Sequence, residues 1–417
     1  MVKELNKARI EILLLFFLYL IIMPRVYMAY DMGFWREWAL YIHQHGVSNA
    51  YNSTTNYFPV YIYILYLFDL VQGTDISIAH NINYIKDVFV FFDFLPLFVL
   101  CCFRQKILSY KIPYLYLLLN IAYLFNSMIW GQIDSIFISL VFLAILVAVS
   151  YPIVGFLLYL LALNTKPQAI VFLPVMFFVL WYSVRNIKTF LSGLVTAVAL
   201  QAVILLPFIK SGGVGRLIYI SSHSVDLYNK LSICAFNIWY LIARGNPYFI
   251  NDKDTYFLLS YKQVGLILFA ISGITVLLPL FFRLYRDRVN NLKPGDDTYR
   301  LLFLSTGLLS LYFFYFNAQM HERYAQPIII FFFFYAVVSK NYKLYILASI
   351  PYFLSLDKCF PDYLPIVHYK VIYASKVIAL WYTATVIYGS YEFFRQYSIR
   401  GEFKKLVADI SKKNGYS

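Results

Sequence analysis

The sequence predicts an all-α polytopic membrane protein, and three observations carry that expectation. Of 417 residues, 61% are hydrophobic and only 13% charged, about half the charged share of a soluble globular chain. Apolar runs of membrane-span length recur from one end to the other. The connections between them alternate in Lys and Arg content, as expected where basic loops stay in the cytoplasm. The formal net charge of +14 therefore reads as orientation, and no nucleic-acid partner is expected.

Taken in order, the basic N-terminus is placed inside, and a first span over 12–30 leads out to Asp31. No small-residue cleavage site follows it, so the run is expected to be retained. Residues 31–86 are too broken to cross. Their amphipathic pieces at 35–43 and 60–70, rich in Tyr and Trp, suit helices lying at the interface. Spans follow at 87–103, 112–125, 135–150, 152–163, 169–182 and 189–207. A second long outer segment occupies 208–260. Spans at 261–282 and 301–316 come next, then one ending near Lys340, one ending near Asp357 to Asp362, and one at 369–388. The basic tail 391–417 stays inside. The result is about twelve spans in one domain covering 1–417, with both termini cytoplasmic. The outer loops, counting the two long segments and the later loop that carries His321, hold five of the six histidines, and His368 lies at the outer edge of the last span. Cys101, Cys102, Cys234 and Cys359 show neither metal-ligand spacing nor a disulfide framework.

Several polar clusters fall on the outer side. Asp31 opens DMGFWREW, where Phe34, Trp35 and Trp38 would screen its carboxylate from bulk water and make it a better general base. The plain alternative is a solvated residue at a span end. Tyr57, in NYFPVYIY, belongs either to an interfacial aromatic belt or to the wall of a substrate groove. Trp130, Gly131, Gln132 and Asp134 combine a stacking face, an amide and a carboxylate, a mixture suited to a sugar; the alternative is a simple turn between spans. In NTKPQ, Lys166 lies between apolar runs, where a cation is functional by default unless it snorkels to the surface. Facing inward, it would be a phosphate ligand. Within MHERY, Arg323 is the side chain best suited to grip a phosphate bidentately, and His321 can donate a second bond. The alternative there is a Glu322–Arg323 ion pair. His-Glu with no second His at the required spacing is not a zinc-protease pattern, and no metal site is expected.

The order of these motifs resembles the integral-membrane glycosyltransferases of the GT-C fold, which use polyprenyl-phosphate sugars as donors. Those enzymes carry an acidic residue just after the first membrane helix, as Asp31 stands here, followed by a segment with Tyr and Pro. The endoplasmic-reticulum glucosyltransferases of lipid-linked oligosaccharide assembly look closest in motif order. They have a polar turn where this chain has WGQID and a Lys-Gln stretch where it has KPQAIVFLP. Their Ala-Asn-x-Trp stretch is similar to AFNIW at 235–239, and their late His-Glu-Lys is similar to His321-Glu322-Arg323. Bacterial mannosyltransferase-like relatives with WGQxD and HERY fit those two motifs better. The resemblance covers about residues 25 to 330. Arg in place of Lys in the late motif, and Pro167 between Lys166 and Gln168, are departures that leave sugar and acceptor open.

The resemblance implies a GT-C-like helical bundle that transfers a hexose, mannose or glucose, with inversion. The sugar would pass from a polyprenyl-phosphate donor to a glycan or lipid-linked acceptor on the outer membrane face. Asp31 would be the base, and His321, Arg323 and Lys166 would hold the donor phosphate. Trp130, Gln132, Asp134, Gln168, Glu322, Tyr57 and Asn237 would face sugar or acceptor. No cofactor and no divalent metal are expected; membrane lipids are the other partners. Abundant Tyr, Phe, Ile, Asn and Lys with little Gly favours a prokaryotic plasma membrane. The competing class is a transporter or a flippase for lipid-linked glycans.

Overall fold

The computed structural model describes residues 2–26, 29–107, 112–223, 228–359 and 371–413; Asp362 and His368 lie outside the described residues. Helix follows helix, and the only strands among the described residues are two short pairs. Three described helices are long and apolar enough to cross a membrane: Ile187–Lys210, Tyr261–Val289 and Asp296–Phe316. Other expected spans are occupied by shorter apolar helices, among them Asp134–Ala148, Pro152–Leu163 and Gln326–Ser339. A 15-residue helix such as Asp134–Ala148 extends only about 22 Å, against a hydrocarbon core of about 30 Å.

Several boundaries differ from the sequence expectation, each for a local reason. The first helix runs Val2–Ile22 and stops ahead of Pro24, whose ring and missing N–H cannot continue it. The next helix, Ala29–His45, already contains Asp31 in its first turn, so Asp31 is on a helix rather than in an exit loop. The expected span 112–125 breaks into Tyr114–Leu118 and Ile121–Phe125, because Asn120 Oδ1 accepts the Ala122 N–H at 3.0 Å and starts a new helix. The expected 169–182 opens with the tighter turn Pro167–Phe172 before Leu173–Ser183. The last expected span, 369–388, corresponds to a helix at Ser375–Gln396.

By its contacts the chain divides into two compact units. One comprises Met1–Ser109, Leu124–Ile170 and Val184–Leu227; the other comprises Tyr110–Tyr123, Val171–Ser183 and Tyr228–Ser417. In the first, Val2–Ile22 packs on Lys86–Ile107, which packs on Asp134–Ala148, which packs on Pro152–Leu163. The last contact closes over Gly155, where a Cβ would lie 2.4 Å from that of Ala148. Ile187–Lys210 then covers Pro152–Leu163 with only 17% of its apolar window buried, the profile of a helix that meets lipid rather than protein.

In the second unit, Tyr261–Val289, Asp296–Phe316, Gln326–Ser339, Lys343–Cys359 and Ser375–Gln396 pack in sequence. Asp296–Phe316 is the core helix, with 83% of its window buried. Gly307 lets Phe332 lie against its backbone; a Cβ there would be 2.4 Å from the ring. The basic tail forms the helix Ile399–Lys413, which folds back on Tyr261–Val289. Arg283 fastens it: Nε and Nη2 each donate to Glu402 at 2.8 Å, Nη1 donates to Asp297, and Lys405 adds a 2.9 Å bond to Glu402. Burial pushes the Glu402 carboxyl up, but the bonds from Arg283 and Lys405 outweigh it and hold its pKa below the ordinary value.

Candidate functional site

The first unit builds a carboxylate site around the polar turn. Asn126–Trp130 forms a wide π-helical turn ended by Gly131 at φ +78°, a conformation that strains any L side chain. Space forbids one as well, since a Cβ on Gly131 would sit 2.5 Å from Met32 Sδ. The reversal at Gly131 turns Gln132 back toward Asp31, and Gln132 Nε2 donates to Asp31 Oδ2. One helical turn beyond Asp31, on the same face, Trp35 Nε1 donates to the Gly131 carbonyl at 2.9 Å. The helix Ala29–His45 is thus docked on the turn by two bonds that also fix the carboxylate.

An aromatic wall backs this contact. Trp35 is buried, with Tyr57 and Tyr61 edge-on to it at 5.0 and 4.9 Å and Trp38 at 5.2 Å. Phe34, expected to join the screen, touches Trp38 at 6.0 Å but is 51% exposed, so it sits at the outer edge of the wall while Tyr57 and Tyr61 pack on Trp35.

Two residues past Gln132, Asp134 meets Lys166 at 2.6 Å. Asp134 lies in the first turn of Asp134–Ala148, where the helix dipole favours a negative charge. Lys166 continues the last turn of Pro152–Leu163, its N–H bonded to the Ala162 carbonyl at 3.0 Å. Both side chains are buried. An ammonium here would be costly alone, and the Asp134 carboxylate meets it, so Lys166 is a paired cation rather than one projecting on its own. Trp130 is buried beside the turn, and Gln168 is half-buried with its Oε1 lacking a partner.

Sequence reasoning passed over Lys86. Fully buried, its ammonium donates to the carbonyls of Val26, Met128 and Ile129, tying the polar turn to the chain ahead of Asp31. The only signal was a lysine at the first residue of an apolar run, which reads equally well as a span boundary.

The second unit gathers the late motif. Ser232–Ile233 pairs in parallel with Met320–His321, and Cys234 bridges His321. Glu322 stands 3.9 Å from both His321 Nδ1 and Arg323 Nη1, and the His321 ring lies between Tyr228 and Tyr324 at 5.1 and 5.3 Å. Asn237 is committed to the backbone: Nδ2 donates to the Phe314 and Asn317 carbonyls at 3.2 and 3.1 Å, and Oδ1 accepts the Trp239 N–H. It caps the end of the core helix Asp296–Phe316, whose last carbonyls need donors. In the same loop Cys234 and Phe236 adopt φ +55° and +35°, a conformation costing about 1–3 kcal/mol per residue. The Cys359 thiol donates to Cys234 and holds its pKa below the ordinary value.

Asp31, Gln132, Asp134 and Lys166, with the Tyr57 wall, Trp130 and Gln168, therefore fall in the first unit; His321, Glu322, Arg323 and Asn237 fall in the second. No protein-family model matches the chain, and no curated protein matches it.

Proposed function

We propose that the chain is a membrane-embedded, inverting glycosyltransferase that moves a hexose from a polyprenyl-phosphate donor to a glycan or lipid-linked acceptor on the outer face of a prokaryotic plasma membrane. In this reading the protein is a GT-C-like bundle of about twelve spans, with both termini cytoplasmic and its outer segments carrying the site. The observation that carries it is the hydrogen bond from Gln132 to Asp31, which orients one carboxylate oxygen and leaves the other to take the acceptor hydroxyl proton. The aromatic wall of Trp35, Tyr57 and Tyr61, packed edge to face, supports the reading, because it keeps water from the back of the carboxylate and leaves half-buried Tyr57 at its edge to meet a sugar. Lys166 would stabilise the charge that grows on the departing phosphate, its pairing with Asp134 holding the ammonium in position. His321 and Arg323 are the second unit's groups with affinity for phosphate.

One feature favours a transporter instead. Asp93 is fully buried inside the apolar helix Lys86–Ile107, close to Ser127. Carboxylates in such positions serve proton or ion pathways.

The deciding experiment is release of prenyl phosphate from short-chain prenyl-phosphate hexoses by the purified protein, beside Asp31→Asn. Release by wild type and its loss in Asp31→Asn by about 100-fold or more, typical for removal of a general base, is the expected result. Equal release by both would remove Asp31 from the mechanism. No release from any donor, with cell-envelope extract supplied as acceptor, would favour transport.

A further inference from the structure

Cys234, Glu322 and Cys359 come from three distant parts of the second unit. Both sulfur atoms and a Glu322 carboxylate oxygen lie within 4.8 Å of one another. The parallel pairing of Ser232–Ile233 with Met320–His321 lays Cys234 beside Glu322. Cys359 ends the helix Lys343–Cys359, which packs on the turn Glu322–Ala325. Left-handed backbone at Cys234 and Phe236 is selected by neither residue type. Tertiary contacts over-determine it, as they do at ligand sites. A pocket of about 570 Å³, lined in part by Cys234, Tyr240, Tyr248 and Lys358, opens onto the group.

We propose that Cys234, Cys359 and Glu322 form a binding site for a divalent cation of the zinc class. Two sulfur donors select a borderline-soft ion over magnesium or calcium, which take oxygen ligands. Three protein ligands leave one position of a tetrahedral ion open, and the pocket lies on the Cys234 side to receive a fourth ligand. Donors bound to such an ion stand about 3.5–3.8 Å apart, given metal–ligand lengths of about 2.0–2.3 Å, so small side-chain rotations suffice to close the group. Binding releases the two thiol protons to solvent. Two thiolates and a carboxylate against a dication leave one surplus negative charge. The Lys358 ammonium, bonded to the Tyr373 carbonyl and to Ser375 Oγ at 3.0 Å, lines the same pocket and offsets it.

The site goes beyond the transferase reading, and its test is independent of any sugar donor. The full chain, purified with its thiols counted as reduced, is titrated with Co2+ and then with competing Zn2+. The expected result is a sulfur-to-cobalt charge-transfer band that saturates at about one ion per chain and is displaced by Zn2+. The band is lost in Cys234→Ser and in Cys359→Ser and kept in a Cys101→Ser/Cys102→Ser double variant. Glu322→Gln weakens binding by more than the about 10–100-fold that loss of an outer-shell partner costs. Three results would overturn the proposal: no band with both thiols free, an equal band in Cys234→Ser, or a Cys234–Cys359 disulfide that re-forms after reduction and excludes the ion. Near-isosteric Ser variants whose gel-filtration profile matches wild type keep a loss of binding distinct from a loss of folding.

Discussion

Lys166 and Asp134 show what a buried pair does to substitution. Removing one partner strands the other charge in the interior at a cost of about 3–5 kcal/mol, while replacing both with apolar residues of similar size is often nearly neutral. Lys166→Met should therefore lower the unfolding temperature in detergent sharply, and adding Asp134→Leu should restore much of the loss. Thermal melts of the two single variants and the double check this; losses that simply add would mean the two side chains are not coupled. Both residues stand out in the sequence as polar groups among apolar runs, yet nothing there joins them, because periodicity reports only neighbours along a helix. The same holds for Gln132 and Asp31, which meet only because Gly131 reverses the chain. Cys234 and Cys359 were least legible: their contact depends on a two-residue parallel pairing that no propensity foretells.

At the scale of elements, hydropathy found most helices and misplaced their ends. A sliding window averages across Asn120, whose side chain starts a second helix, and across Pro24, which stops the first. The tail was legible as basic but not as docked, since its hold depends on Glu402 reaching Arg283 across the unit. That hold gives a pH dependence. The folded pKa of Glu402 lies below its unfolded value, so its contribution is fully present above the unfolded carboxylate pKa, about 4.3, and is lost as pH falls through the folded value. Wild type should be more stable than Glu402→Gln near pH 7, and the difference should shrink as pH drops below about 4. Melting temperatures of both proteins across that range test it; a constant difference would mean that Glu402 does not titrate against Arg283.

For the molecule as a whole, membrane character rests on composition and on three long apolar helices, while the orientation we propose rests on where Lys and Arg accumulate. A membrane-impermeant thiol reagent should label Ile76→Cys, exposed in the segment 31–86, on intact cells. It should reach Lys412→Cys in the tail helix only after permeabilisation, both in a background with the native cysteines replaced. The reverse pattern would invert the topology and move Asp31 to the cytoplasmic side.

The short parallel pairing of Ser232–Ile233 with Met320–His321 also orders events during biosynthesis. Its first strand leaves the ribosome well before its partner exists, a delay on the order of 10 s at ordinary elongation rates. Until then the loop has only its earlier contacts, such as the Leu231 N–H bond to the Ile250 carbonyl at 2.8 Å, and Cys234 lacks its neighbours Glu322 and Cys359. Cys359 arrives later still. Newly made chains are therefore open to mispairing or alkylation during a window that closes only when translation has passed the end of Lys343–Cys359.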